Sequence, residues 1–242
     1  AGWYGVWDFA LALLAVSLLS MLVGFGDDFI KAVKHQHEGL TPWQKIAGQV
    51  VVALGFSVYC YFHPMVGSAI CIPFTSLTWD LGLFYIPLMT LVIIFMVNSS
   101  NLQDGVDGLL SSVTVVGMAA FGLIALQMGE GAFPSDSEWF VQSLLPGKMD
   151  TPWFTVIAIL CFALAGASIG FLFFNHHPAK IFMGDTGSMF IGGAFVGVAM
   201  LTKTQFLLLP ICFTCIMSSV SVMMQTAYFK YTRKKTGTGK RI

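Results

Sequence analysis

The chain has 242 residues, 56% of them hydrophobic and only 10% charged, with a mean hydropathy of +0.79 and a formal net charge of zero. Water-soluble domains carry about a quarter charged residues, so the composition excludes a soluble globular protein and predicts an all-α polytopic membrane protein, one domain over residues 1–242. The zero total carries no signal about acidic partners, and no motif points to nucleic acid.

A helix crosses the hydrocarbon core in about 20 residues. Seven continuous apolar runs fit, at about 6–25, 46–62, 81–97, 108–127, 153–174, 187–201 and 206–228. None alternates as a barrel strand does. The chain opens on A-G-W-Y-G-V-W-D, without the basic start of a signal peptide, and both ends read as cut.

The first run leads into G-F-G-D-D-F-I-K, at the head of a loop placed at 26–45. Asp27 and Asp28 are adjacent, so on a helix they point about 100° apart and cannot face one ligand identically. Lys31 lies four and three residues on and reaches either. A charged cap at the membrane boundary is the plainer reading. A cap needs one acid, however, and Gly24 and Gly26 suggest backbone crowding.

After the second run, residues 63–80 read as an ordinary connector. The third run ends in S-S-N-L-Q-D-G-V-D-G. Asp104 and Asp107 share a face if the segment is helical, Asn101 lies three residues before Asp104, and Gly105 and Gly108 leave room for a ligand. A lone N-cap explains Asp104 but not the group. Residues 128–152 read as a second connector with a short amphipathic piece.

The fifth run leads into N-H-H-P-A-K-I-F-M-G-D-T-G-S. Asp185 stands where a helix begins. Thr186, Ser188 and backbone N–H groups there suit phosphate oxygens, and a carboxylate beside phosphate suits Mg²⁺; a simple N-cap remains the alternative. Phe182 is an aromatic in a polar loop, fit for base stacking or for anchoring at the membrane interface. The sixth run, G-S-M-F-I-G-G-A-F-V-G, is short and glycine-rich, which predicts close helix packing. The seventh holds Pro210 near its start, where a missing N–H costs least.

Alternate crossing puts the loops 26–45, 98–107 and 175–186 and the tail on one side, with ten Lys and Arg residues against two on the other. That bias predicts a cytoplasmic face, and all five loop aspartates fall on it. The five cysteines lack metal-ligand spacing. The adjacent His176 and His177 diverge on a helix without a third ligand nearby, and His35 and His37 read as solvated. No phosphate-binding glycine loop or nucleophile elbow occurs. The residues alone predict metal-assisted phosphate chemistry at a cytoplasmic membrane face.

G-F-G-D-D-F-I-K-A-V-K with G-L-T-P-W-Q-K-I-A-G-Q, then N-S-S-N-L-Q-D-G-V-D-G-L, then F-F-N-H-H-P-A-K-I-F-M-G-D-T-G-S-M, resemble the polyprenyl-phosphate N-acetylaminosugar-1-phosphate transferases over nearly the whole chain. The resemblance is nearest to the branch acting on UDP-MurNAc-pentapeptide, through the loop after D-D-F-I-K and the ending Q-T-A-Y-F-K-Y-T…G-K-R-I. It implies that undecaprenyl phosphate attacks the β-phosphate of UDP-MurNAc-pentapeptide with Mg²⁺, giving lipid I and UMP in peptidoglycan synthesis at the bacterial inner membrane. It implies a homodimer of ten-helix subunits, the runs here being the third to ninth. By position, Asp185 matches the Mg²⁺ ligand and Asp27 a carboxylate acting as base or nucleophile, with Asp28 and Lys31 completing that motif. Asn101, Asp104, Gly105 and Asp107 match the nucleotide and phosphate loop. Asn175 and Phe182 match positions near the uridine, and Lys45 a basic position suited to phosphate. Gln103 and Val106 depart mildly from the pattern. Two elements of the family pattern, an early Lys-Gly-Thr-Pro-type loop and a run of three histidines after the basic tail, are absent from these 242 residues. A UDP-GlcNAc-dependent GlcNAc-1-phosphate transferase keeps every Asp role. A transporter fits poorly, because transport sites lie near midplane on broken, repeated helices.

Overall fold

A computed structural model describes residues 4–34, 39–73, 75, 77–129 and 152–236. His35, His37, most of the second outer connector and the end of the basic tail lie outside the described residues. Among the described residues the α-helices are α1 (Tyr4–Lys34), α2 (Pro42–Phe62), α3 (Tyr85–Gln103), α4 (Leu109–Gly129), α5 (Pro152–Asn175), α6 (Gly184–Leu201), α7 (Leu208–Ile211) and α8 (Phe213–Thr236). Among the described residues six are long and apolar enough to cross a membrane, and Gln205–Ile211 with Phe213–Lys235 forms a bent pair that makes a seventh if counted as one span. This is a multi-pass helical membrane protein.

The helix α6 is the centre of the bundle. It packs against α1 on one side and α3 on another, while α4 pairs with α5 and α2 flanks α3. Every residue from Ile191 to Leu201 is buried. Small residues permit this, since helices in lipid associate by close backbone approach rather than by a hydrophobic force. Gly192 lies against the Val97 backbone of α3 and Gly193 against Val16 and Ser17 of α1. The glycine-rich sixth run thus packs as its sequence predicts.

Three local features depart from the sequence reading. First, α1 does not end near residue 25 but continues through Asp27, Asp28 and Lys31 to Lys34. Each glycine costs a helix about 1 kcal/mol relative to alanine; the Asp27–Lys31 pair and packing on α6 offset it. Second, the connector 63–80 contains a hairpin, β1 (Ala69–Cys71) and β2 (Thr78–Asp80), antiparallel with Ile70 opposite Trp79. The Asp80 carboxylate closes it, accepting from Ser68 Oγ at 2.6 Å and Gly82 N at 2.9 Å. Third, the seventh run is not one straight span. It bends by 80° at Cys212, two residues after Pro210. Proline removes a helical donor and crowds the preceding turn. Beyond the bend α8 exposes Met217, Met223, Met224 and Tyr231, and it ends on Arg233, Lys234 and Lys235.

Candidate functional site

At one end of the bundle, α1, α2, α3 and α6 bring six polar side chains together. The α1 extension supplies Asp27, Asp28 and Lys31. The α2 start supplies Lys45. Thr41 fixes that start as a capping box, with Gln44 N donating to Thr41 Oγ1 and Thr41 N donating to Gln44 Oε1. Such reciprocal bonds satisfy two otherwise unpaired donors and set Lys45 one turn into the helix. Asn101 comes from the last turn of α3, and Asp185 from the first turn of α6.

Asp185 is the hub. Its Oδ2 accepts from Lys45 Nζ at 2.7 Å and Lys31 Nζ at 3.3 Å, and its Oδ1 from Asn101 Nδ2 at 2.7 Å. Asn101 also reaches Ser188 Oγ at 3.0 Å. Lys31 bridges to Asp27 Oδ2 at 2.6 Å and to Asp28 Oδ1 at 3.7 Å. Asp27 and Asp28 do diverge. Asp27 is 4% exposed and turns its other oxygen to Leu40 N at 2.6 Å. Asp28 Oδ2 accepts from Thr186 N at 2.9 Å and Thr186 Oγ1 at 2.7 Å, so a carboxylate from α1 caps the positive end of α6. Sequence reasoning assigned those Thr186 donors to phosphate; here Asp28 takes them. One oxygen each from Asp27, Asp28 and Asp185 lies within 4.8 Å of the others. Three carboxylates that close match the all-oxygen donor set of a hard divalent cation.

The close approach of α1 and α6 needs Gly24. A Cβ there would fall 2.6 Å from the Asp185 carbonyl carbon and 3.0 Å from Thr186 N. Gly26, read with it as a crowded position, has only Leu40 Cδ1 at 3.9 Å.

The second loop is a turn, not a helix: α3 ends at Gln103 and Asp104 is its C-cap. The i, i+3 aspartates therefore part. Asp104 stays beside the cluster, half-buried. Burial raises its carboxyl to about 6, the charges of Asp185 and Asp28 push the same way, and the Gly184 N–H opposes them. Asp107 faces the 175–183 loop, where Ala179 N and His177 Nδ1 each lie 3.1 Å from its Oδ2 and hold its carboxyl below the usual range. Gly105 and Val106 are exposed at the turn.

Asn175, 3% exposed, ties the same loops together. Its Oδ1 accepts from Gly108 N at 3.1 Å and Ser111 Oγ at 3.0 Å, and its Nδ2 donates to Ile181 O at 3.0 Å. Phe182 is 71% exposed. The hydrogen-bonded cluster around Asp185 includes none of Asp107, Asn175 and Phe182. Two residues the sequence reading passed over, Gln49 and Asn98, adjoin it. The signal for them was one amide inside the second apolar run and one just past the third, one turn from Lys45 and from Asn101.

The Asp104 environment sets a stability test. Between pH 3.8 and about 6 the folded chain keeps a proton that the unfolded chain has lost, so stability falls as pH rises through that window, and the penalty is complete above it. In detergent with chelator, Asp104→Asn is expected to raise the melting temperature at pH 8 relative to the parent and to leave it unraised at pH 4. An equal shift at both pH values refutes the electrostatic cause.

Fold and site together define a polytopic membrane protein with a carboxylate–lysine cluster suited to phosphate chemistry at one membrane face. The family model described as Glycosyl transferase family 4 matches residues 10–203. The chain belongs to that family. Similar proteins include three named phospho-N-acetylmuramoyl-pentapeptide-transferase. The one from Listeria monocytogenes is 38% identical over 225 residues, covering 93% of this chain and 61% of the relative. That from Chlorobium phaeobacteroides is 36% identical over 236 residues (96% and 61%), and that from Salinibacter ruber 38% over 250 (96% and 62%). The chain thus spans a little over 60% of the length of these relatives.

Proposed function

We propose that this chain carries the transfer site of an enzyme that moves phospho-MurNAc-pentapeptide from UDP-MurNAc-pentapeptide to undecaprenyl phosphate, giving lipid I and UMP. The observation that supports this most is the meeting of Asp27, Asp28 and Asp185 with Lys31 and Lys45 at one end of a membrane bundle. The names of the relatives and the three loop motifs support the same substrates. The ten-to-two excess of Lys and Arg favours a cytoplasmic site at the inner membrane. The homodimer is part of this reading on resemblance alone.

In this reading Asp185, with Asp27 or Asp28, holds Mg²⁺, which when bound neutralises the diphosphate oxygens. Lys31 and Lys45 share one Asp185 oxygen, with Lys45 the closer at 2.7 Å against 3.3 Å. With the diphosphate bound, the two ammonium groups would neutralise phosphate oxygens, whose charge grows on the leaving side. Phosphoryl transfer depends mainly on such positioning and charge neutralisation. A lipid-phosphate oxygen attacks the β-phosphorus, the bond from that phosphorus to the bridging oxygen breaks, and UMP departs with the electron pair. The lipid phosphate has its second ionisation near neutrality, so it needs little help from a base.

Asp27 has both oxygens engaged, by Leu40 N and Lys31, which leaves it poorly placed as a nucleophile. Direct attack follows, and a trapped phosphate on Asp27 during turnover overturns it. Phe182 is exposed for stacking on the uracil. Asn175 and Asp107 shape that loop through the bonds described above.

The test is UMP release from UDP-MurNAc-pentapeptide by the full-length protein with undecaprenyl phosphate and Mg²⁺, with UDP-GlcNAc run in parallel. Release from the first donor only, abolished by chelator, is expected. Release from UDP-GlcNAc instead moves the chain to the GlcNAc-1-phosphate branch, and release from neither refutes the reading.

A further inference from the structure

We propose that Gln49 is a positioning residue for this transfer, acting through Lys45 and Asn101; the inference rests on the functional reading above. Gln49 is buried in α2 and Asn98 half-buried in α3. Their side-chain amides pair head to tail: Gln49 Nε2 donates to Asn98 Oδ1 at 3.2 Å, and Asn98 Nδ2 donates to Gln49 Oε1 at 2.8 Å. Asn98 Nδ2 also reaches Ile94 O at 2.8 Å, which fixes its rotamer against its own helix.

This pair sits next to the cluster on both helices. Lys45 is four residues before Gln49 on α2, and Asn101 three residues after Asn98 on α3, so each shares a face with its neighbour. Lys45 and Asn101 then grip opposite oxygens of one carboxylate, Asp185. Around the pair the α2–α3 contact is mostly apolar, with Ala53, Phe56, Met89 and Ile93 buried, and a second interhelical side-chain bond, Thr90 Oγ1 to Ser57 Oγ at 3.3 Å, lies about two turns beyond the pair, away from the cluster. Apolar side chains alone fix sliding poorly, whereas a buried amide pair specifies register. A one-residue slip moves a helix by about 1.5 Å and parts both amides. At the cluster end of the contact, the pair therefore holds the register in which Lys45 and Asn101 converge.

Interhelical hydrogen bonds in membrane bundles contribute little individually, so the pair is a weak source of stability. Positioning is more sensitive, because about 1 Å of misplacement can cost on the order of 100-fold in rate. The two roles give different results.

The experiment is a double-mutant cycle on UMP release by the full-length protein. Gln49→Ala is expected to lower kcat by about 10- to 100-fold, with the melting temperature within a few degrees of the parent. On a Lys45→Ala, Asn101→Ala background the same change costs little, because residues that act through one another are non-additive. The exchange Gln49→Asn with Asn98→Gln restores most of the rate. A Gln49→Ala loss of equal size on both backgrounds, or no loss at all, overturns the proposal while leaving the transferase reading intact.

A second readout needs no turnover. Nitrogen-15 NMR of the lysine ammonium groups reports whether Lys45 is held. Its signal should be protected from solvent exchange in the parent, lost in Gln49→Ala and regained in the exchanged pair. A parent chain that shows this pattern but releases no UMP refutes the transferase and keeps the positioning role. A Lys45 signal unchanged in Gln49→Ala refutes the positioning role by itself.

Discussion

Asp185→Asn is expected to lower UMP release by at least about 1,000-fold while the protein stays folded. Removing a single oxyanion-stabilising donor costs enzymes about 100- to 1,000-fold, and this side chain has more than one task. It collects Lys31, Lys45 and Asn101 on its two oxygens, and it is the carboxylate common to every proposed cation ligand set. An amide is isosteric but neutral, so it accepts one of these donors and cannot hold two ammonium groups and a divalent ion. The fold should tolerate the change. Lys31 keeps its 2.6 Å bond to Asp27, and α6 keeps its Asp28 cap and its wholly buried body. Asp185→Glu keeps the charge but displaces it by about one C–C bond, and it should fall between. The check is kcat with Mg²⁺ alongside the melting temperature in the same detergent. Activity within tenfold of the parent removes Asp185 from the centre of the account.

Gly24→Ala is expected to damage activity and stability together, and Gly26→Ala neither. An alanine Cβ at Gly24 points into the backbone of Asp185 and Thr186, which cannot rotate aside. The two helices must separate, and the Asp28–Thr186 bonds and the Asp27–Lys31–Asp185 bridge stretch with them. Overpacking of this kind costs about 1–3 kcal/mol, and a shift near 1 Å at the reacting groups costs on the order of 100-fold in rate. At Gly26 the nearest neighbour is a leucine methyl at ordinary contact distance. There the helical gain from glycine to alanine, about 1 kcal/mol at most, is the dominant effect. Thermal unfolding and UMP release of the two variants side by side make the test. Equal behaviour refutes the claim that the α1–α6 contact sets the site.

The contrast between these two glycines shows what the sequence discloses and what it does not. The long apolar runs were legible because a bilayer demands about 20 such residues per helix, and six of the seven runs are straight spans. The glycines of the sixth run announced its central position. The three acidic loops were legible as neighbours because crossing parity put them on one side. Contacts that depend on distance were hidden. Asp27 and Asp28 read as a loop because the apolar run stops before them, yet packing on α6 carries the helix through them. Asp104 and Asp107 read as one helical face, and the helix ends at Gln103 before either is reached. Lys31 was legible as a partner of its own helix at i+3 and i+4, but its contact with Asp185, 154 residues away, was not. Gln49 and Asn98 show locally only as amides in or beside apolar runs, and their pairing was hidden because each satisfies a need set by the other helix.

The central claim is that Asp185, with Asp27 or Asp28 drawn beside it from α1, holds one divalent cation against a diphosphate. Anomalous diffraction from crystals of the full-length protein grown with Mn²⁺ and the UDP-sugar substrate tests it most directly. The account predicts a manganese peak about 2.0–2.3 Å from an Asp185 carboxylate oxygen and in contact with the diphosphate, with Lys45 on the phosphate side. A manganese ion on the diphosphate but remote from Asp185, with the three carboxylates still bridged by Lys31, contradicts it.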